Sequence, residues 1–260
     1  MSDLELSAKR ILMIGTTGIL GTEFSKALSS KGAKIVLADK PGSDVFSLAD
    51  SLGVSAVEID IASENSVISG VKEATATLGG IDAAINNAAA TFESFIGSGD
   101  AFADFENYPL KVWLKTIDVN LTGAFLFARE TGKIMKHSGG GNLINISSVY
   151  GVVAPDHSIY SGQPFKSMPG YAASKAGIIG LSKWLATLWA QNEIRVNCIS
   201  PGGVYNEHNE SFAKAYGKRT PMGRMAKREE MIGILMFLLS DASSYCTGQN
   251  FIIDGGLTAW

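Results

Sequence analysis

The chain has 260 residues, 46% of them hydrophobic, with 22 basic and 25 acidic side chains and a formal net charge of −3. That length and apolar content suffice for a sizeable core in one large domain over residues 1–260, and the lack of any basic stripe argues against nucleic acid as a partner. Cys198 and Cys246 lack metal-ligand spacing, and His137, His157 and His208 form no cluster, so a metal site is not expected.

The opening stretch MSDLELSAKR is acidic and amphipathic, without the apolar centre of a signal peptide. The longest apolar run, MIGILMFLL at 231–239, is too short to span a bilayer and reads as a buried helix. With two cysteines and no framework spacing, a reducing cytoplasm is the expected location, with no membrane partner.

In chain order, short apolar runs at 11–15, 34–39, 55–60, 81–86, 142–147, 194–200 and 250–254 read as strands. They are almost continuously apolar, as strands covered on both faces must be. Helical spacing fills 18–31, 43–52, 63–78, 109–136, 170–191 and 227–239 between them. This alternation predicts an α/β fold, a doubly wound parallel seven-stranded sheet with helices on both faces and right-handed crossovers. Ligands in such a sheet gather beyond the carboxyl ends of the strands, near the point where strand order reverses. Three long connections, 88–108, 149–169 and 202–221, leave that edge, and 204–220 is expected to be a mobile substrate lid.

After the first strand, IGTTGILG places Gly15, Gly18 and Gly21 at the entrance to a helix. Glycine at the first position allows a tight turn, at the second lets a pyrophosphate reach the backbone, and at the third lets helix and strand pack closely. The free N–H groups of the helix start then face the phosphates, which makes Thr17, Ile19 and Leu20 candidate contacts beside the glycines. Asp39 ends the second strand; its carboxylate suits the adenosine ribose hydroxyls and repels a 2′-phosphate, so NAD is preferred over NADP. Lys40 beside it softens that charge argument, and DKPG is also good turn chemistry.

Asn120 falls inside the helical stretch 109–136. Asparagine is a poor helix former and a buried amide needs partners, so Asn120 is expected to bend the helix and hold a water. Ser147 and Ser148 end the fifth strand, and strand alternation favours Ser148 as the hydroxyl turned towards the pocket. In GYAASKAG, Tyr171 and Lys175 lie about one turn apart on one helix face, with Ala173, Ala176, Gly177 and Gly180 on the side suited to close approach of the sheet or a second subunit. A phenol with a pKa near 10 is a poor base at neutral pH; a neighbouring ammonium is expected to lower it, and a shift of about 3 units takes roughly 4 kcal/mol.

Taken together, these segments resemble the short-chain dehydrogenase/reductase family from about residue 10 to the C-terminus: GTTGILG, EIDI with Asp60, INNAA, DVNLTG, INISS, YAASK, IRVNCISPGGV and the terminal IDGG occur in order. The resemblance implies a Rossmann-like fold, hydride exchange with a nicotinamide cofactor, and a catalytic set of Asn120, Ser148, Tyr171 and Lys175. It further implies that Asp60 and Ile61 border the adenine, that Asn87 and Ala88 line the cofactor path, and that Pro201, Gly202 and Val204 approach the nicotinamide, with Tyr171 and Lys175 also in contact with the cofactor. It implies a homotetramer or homodimer built through the long helices.

The sequence departs from the compact pattern in four places. Ile19 stands at the middle glycine of G-x-x-x-G-x-G, Ala89 replaces a glycine, Asn206 replaces a threonine, and Ser148 and Tyr171 are 23 residues apart. The extra length lies in a loop that resembles members linked to bacterial surface-sugar biosynthesis, and its Asp156, His157, Tyr160, Gln163 and Lys166 suit a hydroxylated alcohol or ketone substrate. A 3-oxoacyl-thioester reductase is the rival within enzymes; a non-catalytic NAD(H)-sensing protein is the rival outside them. A substrate panel separates the first, and cofactor-dependent binding to another protein without turnover marks the second.

Overall fold

The computed structural model describes residues 6–95, 99–163 and 165–260; part of the acidic N-terminal stretch lies outside them. Seven strands form one sheet in the order β3-β2-β1-β4-β5-β6-β7, every pairing parallel. The strands are β1 (Arg10–Ile14), β2 (Lys34–Asp39), β3 (Ser55–Glu58), β4 (Ala83–Asn86), β5 (Gly141–Ile146), β6 (Ile194–Pro201) and β7 (Asn250–Ile253). The order reverses between β1 and β4, which opens the crevice where the glycine turn sits.

Eight α-helices cover the sheet: α1 (Ile19–Ser30), α2 (Val45–Leu52), α3 (Glu64–Leu78), α4 (Leu110–Ile117), α5 (Gly123–His137), α6 (Pro169–Trp189), α7 (Glu210–Arg219) and α8 (Ile232–Leu239). Alternation along β1 explains the two layers. Leu12 and Ile14 join a core with Val67 and Val71 of α3, Phe127 of α5 and Leu185 of α6. Ile11 and Met13 point the other way, to Phe24 and Leu28 of α1, Val45 of α2 and Leu235 of α8. The five inner strands are buried on both faces, as a sheet wrapped on both sides requires, whereas Ser55 and Glu58 of β3 and Ile252 of β7 are exposed at the two edges.

The stretch 109–136 is not one uniform helix. A π-helical turn, Asp118–Thr122, joins α4 to α5, with Asn120 fully buried at its centre. Among the described residues no helix is long and apolar enough to cross a membrane.

The 204–220 segment is packed. Asn209 caps α7 by accepting the Phe212 N–H at 2.8 Å, and Phe212 and Tyr216 are buried with Ile159 and Met225. Most polar side chains of the 149–169 loop bind protein. Asp156 pairs with Arg219 at 2.8 Å and Lys166 with Asp104 at 2.8 Å, while Gln163 accepts from Asn209 at 2.6 Å. Asp156, Gln163 and Lys166, expected to suit a substrate, instead tie three neighbouring loops together.

Candidate active site

The site is assembled around the glycine turn. Gly15 has φ +80, and a Cβ there would stand 2.5 Å from the Ala88 nitrogen; a Cβ on Gly21 would collide with the Gly15 carbonyl. Those two positions accept only glycine, one for backbone conformation and contact, the other for helix–strand approach. Gly18 differs: a Cβ there would meet nothing nearer than the Gly15 oxygen at 3.8 Å. It is the N-cap of α1 and supplies no side-chain cap, leaving room before a helix start. That open backbone, the positive end of α1 and the Asp39 carboxylate fit the phosphates and ribose of a dinucleotide. Ile19 and Leu20 form the first turn of α1.

Asp39 is held in place. One carboxylate oxygen accepts the Thr17 N–H and the Thr17 hydroxyl, both at 2.8 Å, and the other accepts the Lys40 N–H at 2.8 Å. Asp60 lies further along this edge, exposed, accepting the Ala62 N–H at 3.1 Å, while Ile61 is buried beside Gly123.

A chain of hydrogen bonds joins the turn to α6. The Asn87 amide donates to the Gly15 carbonyl at 2.7 Å. Three residues on, the Ala90 N–H donates to the Asn120 oxygen at 2.6 Å, and the Asn120 amide donates to the Ala90 carbonyl at 3.3 Å and to Ser174 Oγ at 3.1 Å. Ser174 in turn donates to the Tyr171 carbonyl at 2.8 Å. The Asn120 side chain is thus spent on protein partners. The expected role of holding a water beside Lys175 is replaced by that of a clamp between the loop after β4 and the catalytic helix.

Ser148 lies near enough to Tyr171 to hold its phenol down. Ser148 also accepts the Tyr150 N–H at 3.1 Å, while Ser147 turns the opposite way and donates to the Lys175 carbonyl at 2.8 Å. Lys175 is 2% exposed; its ammonium donates to the Ile146 carbonyl at 2.8 Å and lies 5.6 Å from the centre of the Tyr171 ring. Burial pushes Lys175 down to about 8, from 10.5. Burial also raises the Tyr171 phenol, opposed by Ser148 and reinforced by Glu93. The expectation that Lys175 makes Tyr171 acidic is corrected here: the ammonium is bound to the Ile146 carbonyl and lies over the ring, and burial sets the direction of the shift.

At the far side, Pro201 ends β6, the Gly202 N–H donates to the Ile253 carbonyl at 2.9 Å, and Val204 bridges to Ala226. Asn206 accepts from Arg228 at 2.8 Å. Sequence reasoning missed Ser174 as a link; its place inside YAASK, directly before Lys175, was the available signal. It also missed Ala90 and Tyr150, whose parts depend on contacts between loops. Among the described residues no cluster of His, Cys, Asp and Glu is arranged to hold a metal ion.

A glycine turn at the reversal point of a parallel sheet, with a Ser–Tyr–Lys group at the same edge, defines a dinucleotide-dependent oxidoreductase. A family model described as enoyl-(acyl carrier protein) reductase matches residues 16–258. The D-threitol dehydrogenase of Mycolicibacterium smegmatis is 32% identical, over 98% of this chain and 95% of that protein. A short-chain dehydrogenase from Leptospira borgpetersenii, solved with bound NAD+, is 33% identical with a TM-score of 0.85, over 98% of this chain and 94% of that one. A gluconate 5-dehydrogenase from Burkholderia cenocepacia, solved with NADP and tartrate, is 28% identical with a TM-score of 0.87, over 100% and 98%. The chain belongs to the short-chain dehydrogenase/reductase family. It is an oxidoreductase acting on CH–OH groups, interconverting a secondary alcohol and a ketone with NAD(H) or NADP(H).

Proposed function

We propose that the protein is an NAD(H)-linked dehydrogenase of a hydroxylated small molecule, a polyol or sugar derivative, with Tyr171 exchanging the proton of the reacting oxygen. The observation that carries this reading is the gathering of Ser148, Tyr171 and Lys175 at the strand ends: Ser148 acts on the Tyr171 phenol, and the Lys175 ammonium lies 5.6 Å from the centre of its ring, beside the chain of contacts that begins at Gly15. The dinucleotide, when bound, supplies the carbon that takes or gives hydride. Ser148 orients the substrate oxygen, and Tyr171 accepts its proton in oxidation or returns it in reduction. Lys175 faces the cofactor ribose, and Asn120 sets the spacing of the whole group. Gly15, Thr17, Gly18, Ile19, Leu20 and Gly21 cradle the phosphates. Asp39 reads the ribose and favours NAD; Asp60, Ile61, Asn87, Ala88, Pro201, Gly202 and Val204 line the rest of the path.

The relatives named for threitol and gluconate support a polyhydroxylated substrate. The unpaired cysteines suit a reducing cytoplasm. Exposed Phe125 on α5 and Trp184 on α6 support a homodimer or homotetramer through these helices. We take residues 1–260 as one domain, with 204–220 as the segment that opens for substrate.

The test is a panel of polyols, sugar acids and 3-oxoacyl thioesters, followed by nicotinamide absorbance. Polyol turnover supports the reading; turnover of thioesters alone replaces it with the reductase. The Tyr171→Phe variant is expected to lose at least a thousandfold in kcat while its affinity for NADH stays within about threefold, since the lost group moves a proton and binds little. Because burial raises this phenol, alcohol oxidation by the wild type should speed up as pH rises from 7 towards 10. A Tyr171→Phe enzyme with full activity sinks the mechanism.

A further inference from the structure

We propose that Tyr150 and Tyr160 form a second recognition point in the substrate pocket, donating a hydrogen bond to a neutral oxygen on a carbon other than the one that reacts. The inference rests on the dehydrogenase reading above and specifies what its substrate carries.

Tyr150 is mounted on the catalytic group. Its backbone N–H donates to Ser148 Oγ at 3.1 Å. The turn Val149–Gly151 rests on α6, where a Cβ on Gly151 would stand 2.7 Å from the Lys175 carbonyl carbon. Its hydroxyl lies 2.9 Å from that of Tyr160. Tyr160 in turn packs its ring 5.5 Å from Phe212 and 6.0 Å from Phe165, measured between centroids. The pair therefore spans from the Ser148 turn to the segment that covers the site.

Counting protons gives the function. Two phenols hold two protons, and one lies between them. The phenol that accepts it keeps its own O–H, for which the described residues offer no hydrogen-bond acceptor. Burial raises both groups, Tyr160 to about 12, so both stay neutral donors at physiological pH. Tyr171 lies within electrostatic reach of each. A desolvated donor beside the reacting centre calls for an acceptor that arrives with the substrate.

The charge nearby selects its kind. Asp156 lies within reach of Tyr150, and Glu93 within reach of Tyr171, and both raise those phenols. Arg219, the cation paired with Asp156, is spent on that carboxylate at 2.8 Å. A carboxylate or phosphate at the pair would meet like charge; a hydroxyl or carbonyl oxygen would not.

The experiment compares kcat/KM for matched probes, butane-2,3-diol against butan-2-ol and cyclohexane-1,2-diol against cyclohexanol, in the wild type and in Tyr150→Phe, Tyr160→Phe and the double variant. The wild type is expected to prefer each diol. The diol-to-alcohol ratio should fall about tenfold in the variant that removes the free donor, less in the other, and at least as far in the double variant, which is the scale of one neutral hydrogen bond. Tyr245→Phe, fully exposed and distant from the pair, should keep the wild-type ratio. An unchanged ratio in the double variant, or equal losses on diol and alcohol, overturns the proposal while leaving the dehydrogenase reading intact. Failure of the wild type to oxidise any diol, among these probes or in the panel of polyols and sugar acids, overturns the polyol reading and this one with it.

Discussion

Lys175 is the most costly side chain in the site. In the unfolded chain a lysine titrates near 10.5; in the fold this one is pushed down to about 8. Between those values the unfolded chain holds the extra proton, so raising pH across that window stabilises the fold; below about 8 both states are protonated and the native state bears the whole penalty. That penalty is about 3 kcal/mol on the scale of the shift, against about 1 kcal/mol for the bond to Ile146. Lys175→Met should therefore be inactive yet about 2 kcal/mol more stable at pH 7 in urea denaturation; a variant less stable than the wild type would show that the ammonium supports the fold. Asp39 is the other residue with a separable effect. Its carboxylate is fixed by Thr17 and Lys40, and the proposed preference for NAD assigns to it the discrimination against a 2′-phosphate. Asp39→Ala should cut the NAD-over-NADP ratio of kcat/KM at least tenfold, and an unchanged ratio would move the discrimination elsewhere.

At the scale of elements, the inner strands were legible because each is apolar on both faces over a short run, a pattern few other structures require. The glycine turn was legible too, since Gly15 and Gly21 are demanded by backbone contacts that no other residue permits. The helical stretch 109–136 was expected to bend at Asn120, and what stands there is the π-turn Asp118–Thr122. Its periodicity persists through Asp118–Thr122, and only the buried amide of Asn120 hinted at the π-turn. The partners of that amide were beyond reach, because Ala90 and Ser174 come close only once α6 has packed. The same holds for the sign of the Tyr171 shift. Spacing placed the ammonium one turn away, but which atom it faces, ring or hydroxyl, depends on the Ile146 carbonyl across the sheet. On α6 the small-residue side was expected to meet the sheet or a partner. Gly177 packs on Leu121, whereas Ala173, Ala176 and Gly180 are exposed, which leaves the partner as the surface to test.

For the whole molecule, that exposed stripe continues into Trp184 at 61% exposure and Leu188 at 50%. Aromatic and aliphatic side chains at such exposure along one helix suit a self-complementary contact. If the proposed dimer or tetramer forms through α6, Trp184→Glu should give smaller species than the wild type in size-exclusion chromatography with light scattering, and an unchanged mass would place the contact on another face. The chain of rings over the site bears on the molecule as a whole in another way. Phe92 stacks on Phe165 with centroids 4.6 Å apart, Phe165 meets Phe212 at 5.3 Å, and Phe212 stacks on His208 at 5.2 Å. These four rings come from the three long connections that leave three different strands. Each such pairing contributes about 0.5–1.5 kcal/mol, and the middle connection, through Phe165, holds both of the others. If 204–220 opens for substrate as proposed, its movement must break the Phe165–Phe212 contact, and a solvent of higher viscosity should then lower kcat without touching the hydride step.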